Sequence, residues 1–167
     1  MKILRRSHGG RSSGVFQPVE KWLRARLRHP RYQHVFRGHV VRKPHGLRGS
    51  GYHHRHNGWN PPGARVRRDA DGMEIILERN PSGTYRARVD VQAADGTWHP
   101  KDGSSTFFPD NWHPQRVEDA IKDAFANRTP HPTNPRRWRG QSDGLTIEGS
   151  YDNFPTTSSW NSAWPLN

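Results

Sequence analysis

The chain has 167 residues, 27 Lys and Arg against 15 Asp and Glu, a formal net charge of +12 and no cysteine. That length fits one domain with at most a small appendage, and the absence of thiols excludes disulfides, a thiolate nucleophile and cysteine-bound zinc. The charge favours a polyanionic partner, nucleic acid ahead of an anionic membrane, and no apolar run is long enough to span a bilayer or to serve as a signal-peptide core, so membrane insertion is not expected.

In chain order, the Arg-, Gly- and Ser-rich residues 1–14 are expected to form a flexible basic tail. Residues 15–30 hold an N-terminal helix, in which Val19, Trp22, Leu23 and Leu27 fall on one face and His29-Pro30 ends the run. The main domain is expected over 31–167. Residues 31–65, crowded with Gly, His, Arg and Pro, read as loop. Met73–Arg79 and Thr84–Ala93 flank the turn signal Asn80-Pro81-Ser82-Gly83 and read as a hairpin; Tyr85, Ala87, Val89 and Val91 lie on the buried face. A further strand is expected near Trp98. The clearest helix is 114–126. It has Pro114 at its first position, Glu118 and Asp119 near its positive end, and a stripe of Val117, Ala120, Ile121, Ala124 and Phe125. Residues 127–143 read as a Pro/Arg-rich loop, and 145–149 and 161–166 as short closing strands. This order predicts an α+β fold: an N-terminal helix followed by antiparallel sheets, with one helix packed on them. Leu, Ile, Val and Phe make up only about one residue in six, a level that borders on disorder. Seven Trp and four Tyr offset this, so the core is expected to be small and dependent on aromatics.

Chemistry gathers in four blocks: His34-Val35-Phe36-Arg37-Gly38, Gly51-Tyr52-His53-His54, Lys101, and Ser105-Thr106-Phe107-Phe108-Pro109. Two imidazoles and an ammonium suffice to cut RNA without a metal. One imidazole takes the proton of a ribose 2′-OH, the other protonates the departing 5′-oxygen, and the ammonium steadies charge on the phosphorus. At an ordinary pKa near 10.4 Lys101 would stay charged and act as a point stabiliser. Arg136, Arg137 and Arg139 around Trp138 combine clustered cations with an aromatic face, a pattern suited to RNA contact. Phe107, Phe108 and Trp112 are read as core.

These blocks, continued through Asp110-Asn111-Trp112, resemble in content and order the bacterial EndoU ribonucleases, toxin domains at the ends of polymorphic and contact-dependent inhibition toxins. The resemblance runs from about residue 31 to the end. It implies an α+β fold shared with barnase and RelE-type ribonucleases. It also implies His34 and His53 as the acid–base pair, with His53 the base by analogy, and Lys101 as the electrostatic stabiliser. The implied product ends are a 2′,3′-cyclic phosphate and a 5′-OH; no cofactor or metal is expected, on the ground that the residue kit itself suffices and no carboxylate cluster demands a cation. At the C-terminus the family's Thr/Ser-x-Tyr-Pro is replaced by Ser162-Ala163-Trp164-Pro165. Ser162 keeps a hydroxyl and Trp164 a stacking face, worth roughly 1–3 kcal/mol per base, while the phenol is lost, so the family's uridine preference is in doubt. Ser162, Trp164, Ser105, His54, Arg137 and Trp138 are the expected substrate-binding residues. The resemblance further implies a monomeric toxin domain, secreted or delivered into the cytoplasm of a target cell, that acts on RNA, tRNA among the candidates. An acidic immunity protein is its expected inhibitor.

Two other readings stay open at this point. The run His53-His54-Arg55-His56-Asn57 has a superficial likeness to histidine-rich HNH DNases that use a metal. A basic, aromatic-bearing chain also fits an RNA-binding module without catalysis.

Overall fold

The computed structural model describes residues 20–167; the expected tail at 1–14 and the start of the N-terminal helix lie outside them. Residues 20–26 are helical (α1), and Trp22, Leu23 and Leu27 pack on the main core as their spacing predicts. A second helix, α2 (Pro30–Phe36), follows at once where loop was expected. Pro30 starts this helix instead of only ending the previous one: its fixed φ suits the first helical turn, and the His29 ring accepts a hydrogen bond from the Arg31 N–H as a cap.

The rest of the expected 31–65 loop also holds regular structure. β1 (His39–Lys43) and β2 (Gly46–Ser50) form an antiparallel hairpin, His56–Gly58 make a single tight helical turn, and β3 (Ala64–Val66) joins a central sheet. Short strands rich in Arg and His have no apolar alternation to reveal them. They are held by their partners instead. β4 (Ile76–Arg79) and β5 (Tyr85–Ala87) make the predicted hairpin. The buried face reads as expected, but the second run breaks at Arg88: β6 (Val89–Gln92) leaves that sheet and pairs with β3. β7 (Trp98–Pro100) and β8 (Ser105–Phe107) complete two three-stranded sheets, ordered β3-β6-β7 and β4-β5-β8.

α3 spans Pro114–Ala126 as predicted, and buries Val117, Ala120, Ile121 and Ala124. Glu118 is not a solvated dipole partner but a buried tie. It accepts from Tyr32 Oη at 2.8 Å and Arg26 Nε at 3.1 Å, and pairs with Lys122, linking α1, α2 and α3. The expected 127–143 loop contains β9 (Thr129–Pro130) and β10 (Arg137–Ser142), which continue through β11 (Leu145–Tyr151) and β12 (Trp160–Pro165) as one antiparallel sheet. The fold is α+β. One core, with Phe36, Trp138, Ile121 and Ile147, lies between the helices and the C-terminal sheet; a smaller one, with Tyr52, Tyr85, Val89 and Phe107, lies under the central sheets.

Candidate active site

Two glycines of the sequence motifs join these halves. Gly38 (φ +79°) and Gly51 (φ +82°) both occupy the left-handed region. A Cβ on Gly51 would overlap the carbonyl oxygen of His34, and one on Gly38 that of Ser50, so neither position admits a side chain. The close approach lets the Tyr52 and His53 N–H groups donate to the carbonyls of His34 and Val35, at 2.7 and 2.6 Å. Tyr52 itself has φ +68°, an outlier for a bulky residue. Full burial edge-on to Phe107, with ring centroids 5.0 Å apart, holds it there. Tyr52 therefore fills the smaller core and His53 turns into a cavity.

That open cavity, of about 470 Å³, brings together His34, His53 and Lys101 with Arg137, Ser162 and Trp164. The two imidazole centroids are 5.3 Å apart, and Trp164 lies 5.8 Å from His53. Ser50, Ser104, Thr106 and Ser150 also line it and were not anticipated. Ser150 could have been found only from strand register, since it pairs with Ser162.

His53 Nδ1 lies 2.8 Å from the Thr106 carbonyl. A carbonyl only accepts, so Nδ1 carries the proton and Nε2 keeps the lone pair. Burial, then the charge of Lys101 and the neighbouring His34, hold the His53 pKa well below 6.5. Burial and Lys101 likewise lower His34, to about 3, and its Nε2 is buried with no hydrogen-bond partner in the protein. Both rings are therefore neutral near pH 7 in the free protein. Lys101 Nζ donates to the Gly51 carbonyl (3.2 Å) and to Ser105 Oγ (3.1 Å). Its expected ordinary pKa needs correction: burial, reinforced by Lys43, lowers it to about 8, because desolvation penalises the ammonium.

Three expected substrate contacts also need correction. His54 is 2 % exposed and turned into the core, its Nε2 bound to the Trp112 carbonyl. Trp138 is fully buried between α3 and the sheet, edge-on to Phe125. Ser105 is fully buried as well: it donates to the Tyr52 carbonyl at 2.6 Å and lies 3.3 Å from His53 Nδ1, so it orients the site from behind. Of the arginines around Trp138, Arg137 lines the cavity above the Trp164 ring, Arg139 bonds Glu148, and Arg136 lies over Phe154. Phe107, Phe108 and Trp112 are core. His53 and His54 face opposite sides, so the histidine run offers no common ligand face. Among the described residues no group of three or more His, Asp or Glu is placed to share an ion.

Residues 28–167 match the family described as bacterial EndoU nuclease. Over 88 residues the chain is 40% identical to a Bacillus cereus protein named "Toxin"; the match takes in 53% of this chain and 14% of that protein, so the chain corresponds to a small part of the relative's length. No solved structure matches it.

Proposed function

The chain belongs to the bacterial EndoU nucleases, and from that premise we propose that it is a toxin domain that cuts RNA by acid–base transesterification at His34, His53 and Lys101, with residues 31–167 as the catalytic unit. His53 Nε2 takes the proton of the ribose 2′-OH. The 2′-oxygen attacks phosphorus, the bond to the 5′-oxygen breaks, and a proton from His34 goes to the leaving oxygen. The products are a 2′,3′-cyclic phosphate and a 5′-OH. Lys101 opposes the charge that builds on the phosphoryl oxygens. His34 must be protonated at that step. A phosphodiester brought beside it supplies the negative charge that raises its pKa, so RNA binding is coupled to proton uptake. Arg137, Ser162 and Trp164 hold the flanking nucleotide.

The observation that carries this reading is the 5.3 Å separation of two neutral imidazoles on one cavity with a buried lysine. A metal-free pair of this kind needs the 2′-OH as its internal nucleophile. An RNA with a single 2′-deoxy at the scissile nucleotide should bind and stay intact, while the all-ribose parent yields cyclic-phosphate ends with chelator present. Cleavage of the deoxy substrate, or loss of activity in chelator, would overturn the mechanism. In the producing cell the domain's partner is an acidic immunity protein, matching a net charge of +12. Its field of action is the cytoplasm of a target cell, with tRNA the first RNA class to test.

A further inference from the structure

The β1–β2 hairpin carries two cations, Arg48 and Lys43, on a face that runs up to the cavity and that the reaction above does not use. In its register His39 pairs with Ser50 and Val41 with Arg48, and Lys43 pairs with Gly46 at the tip. Side chains alternate along a strand and cross-strand partners share a face, so His39, Ser50, Arg48 and Lys43 lie on one face. Ser50 lines the cavity. At ~3.3 Å per residue, Arg48 sits about 7 Å beyond it, on the order of one nucleotide step of an extended strand. At the far end Asp102, the residue after Lys101, accepts from Lys43 Nζ and Arg48 Nε, both at 3.1 Å, with His45 Nε2 at the same distance.

This cluster is exposed: the Lys43 side chain is 41% accessible, that of Arg48 27% and that of Asp102 42%. Exposed ion pairs contribute little to stability. One carboxylate against two permanent cations also leaves net positive charge facing solvent. The arrangement is thus cheap to open and suited to an incoming anion, and an arginine fork with a lysine beside it is the pairing that grips phosphate.

We propose that this hairpin face is a second phosphate subsite, which binds an RNA phosphodiester next to or just beyond the scissile one through Arg48 and Lys43. Continuity of the face with the cavity through Ser50 favours a strand leaving the site over a separate protein ligand. The inference rests on the nuclease reading for the identity of its ligand.

The test is binding, not turnover. Anisotropy of uncleavable 2′-O-methyl dinucleotide and decanucleotide probes is read against the parent protein and the Lys43→Gln/Arg48→Gln variant, at pH 6.5. Loss of Lys43 raises the Lys101 pKa, and at that pH Lys101 is charged in both proteins. The decanucleotide should bind roughly tenfold more weakly to the variant, with its salt slope reduced by about 0.7–1.4, the share of one or two phosphate contacts on a single strand. The dinucleotide should bind equally to both. Exchanging the two side chains while keeping both charges, Lys43→Arg with Arg48→Lys, should restore decanucleotide binding. Equal weakening of both probes, no weakening of either, or a change confined to affinity for an acidic inhibitor would overturn the subsite. Because no cleavage is read, failure of the transesterification mechanism would appear only in the deoxy-substrate assay.

Discussion

The two halves of the molecule hold the groups of the proposed site by different means. The half made of the helices and the β9–β12 sheet relies on a broad apolar core, with Trp138, Phe108, Ile121 and Ile147 fully buried, and it supplies His34, Arg137 and Trp164. The half made of β1–β8 has a smaller core and a partly buried ionic lattice. Arg55, 3 % exposed, donates to both oxygens of Glu74 and to Tyr85 Oη, and Asp110 lies 3.6 Å away. This half supplies His53 and Lys101. Because His34 and His53, the proposed acid–base pair, stand on opposite sides of the seam, the proposed chemistry needs both halves intact and in register.

The strongest way to break the comparison is at the seam's two imidazoles. His34→Ala and His53→Ala should each lower the cleavage rate by about 10²–10⁴. The double variant should be little worse than the poorer single, since groups that act as a unit are not additive. Multiplicative losses in single-turnover assays would mean the two rings act independently.

Core substitutions test the two modes of support. Trp138→Ala in the apolar half should cost about 3–5 kcal/mol through its cavity. Arg55→Met in the ionic half should cost less, about 1–3 kcal/mol, because Glu74 and Asp110 lose hydrogen bonds and charge from Arg55 but keep part of their access to water. Denaturant unfolding separates them: the Arg55→Met loss should shrink at acid pH as the carboxylates protonate, and the Trp138→Ala loss should not.

Gly51→Ala strikes the seam itself. It should cost at least ~1–2 kcal/mol for the left-handed backbone, and it should reduce activity further than that stability loss explains, because the added methyl drives residues 52–53 off the last turn of α2. Thermal unfolding and cleavage measured on the same samples check this; normal activity in the folded variant would show that the approach is slack.

The smallest expected effect is a pH limb. Lys101, with its pKa lowered to about 8, carries its charge below that pH and loses it above. The proton that His34 must take up already makes kcat/KM decline with rising pH, and loss of the Lys101 charge should make the fall steeper as pH rises through about 8, some two units earlier than for an ordinary lysine. Lys101→Arg should move this fall upward, since a guanidinium stays charged. An unchanged limb in that variant would assign it to another group.

Local order was readable where residues make their own case. The apolar stripe and Pro114 of α3, the turn between β4 and β5, and the buried face of Tyr85, Ala87, Val89 and Val91 all follow from spacing within a few residues. α2, the β1–β2 hairpin and β10 were missed. α2 carries a short stripe of its own, Tyr32, Val35 and Phe36 behind Pro30, too brief to stand out beside the His- and Gly-rich run that follows; the strands are rich in Arg, His and Gly, and their order comes from partners distant in the chain. The motifs marked His34, His53 and Lys101, and the structure gathers all three on one cavity.

The amino-acid order alone thus determined the kit of two imidazoles and an ammonium, the two glycines that stand beside the histidines, the basic balance and most elements with a clear period. Only the tertiary structure decided that His53 enters the cavity while its neighbour His54 is sealed in the core, that Trp138 is packing and Arg137 is not, and that burial lowers the Lys101 pKa to about 8. The reason is physical: which face a side chain takes depends on strand register and on close approaches such as Gly51 to His34, and a pKa depends on how much water the surrounding chain removes. Neither quantity resides in any residue or in its neighbours along the sequence.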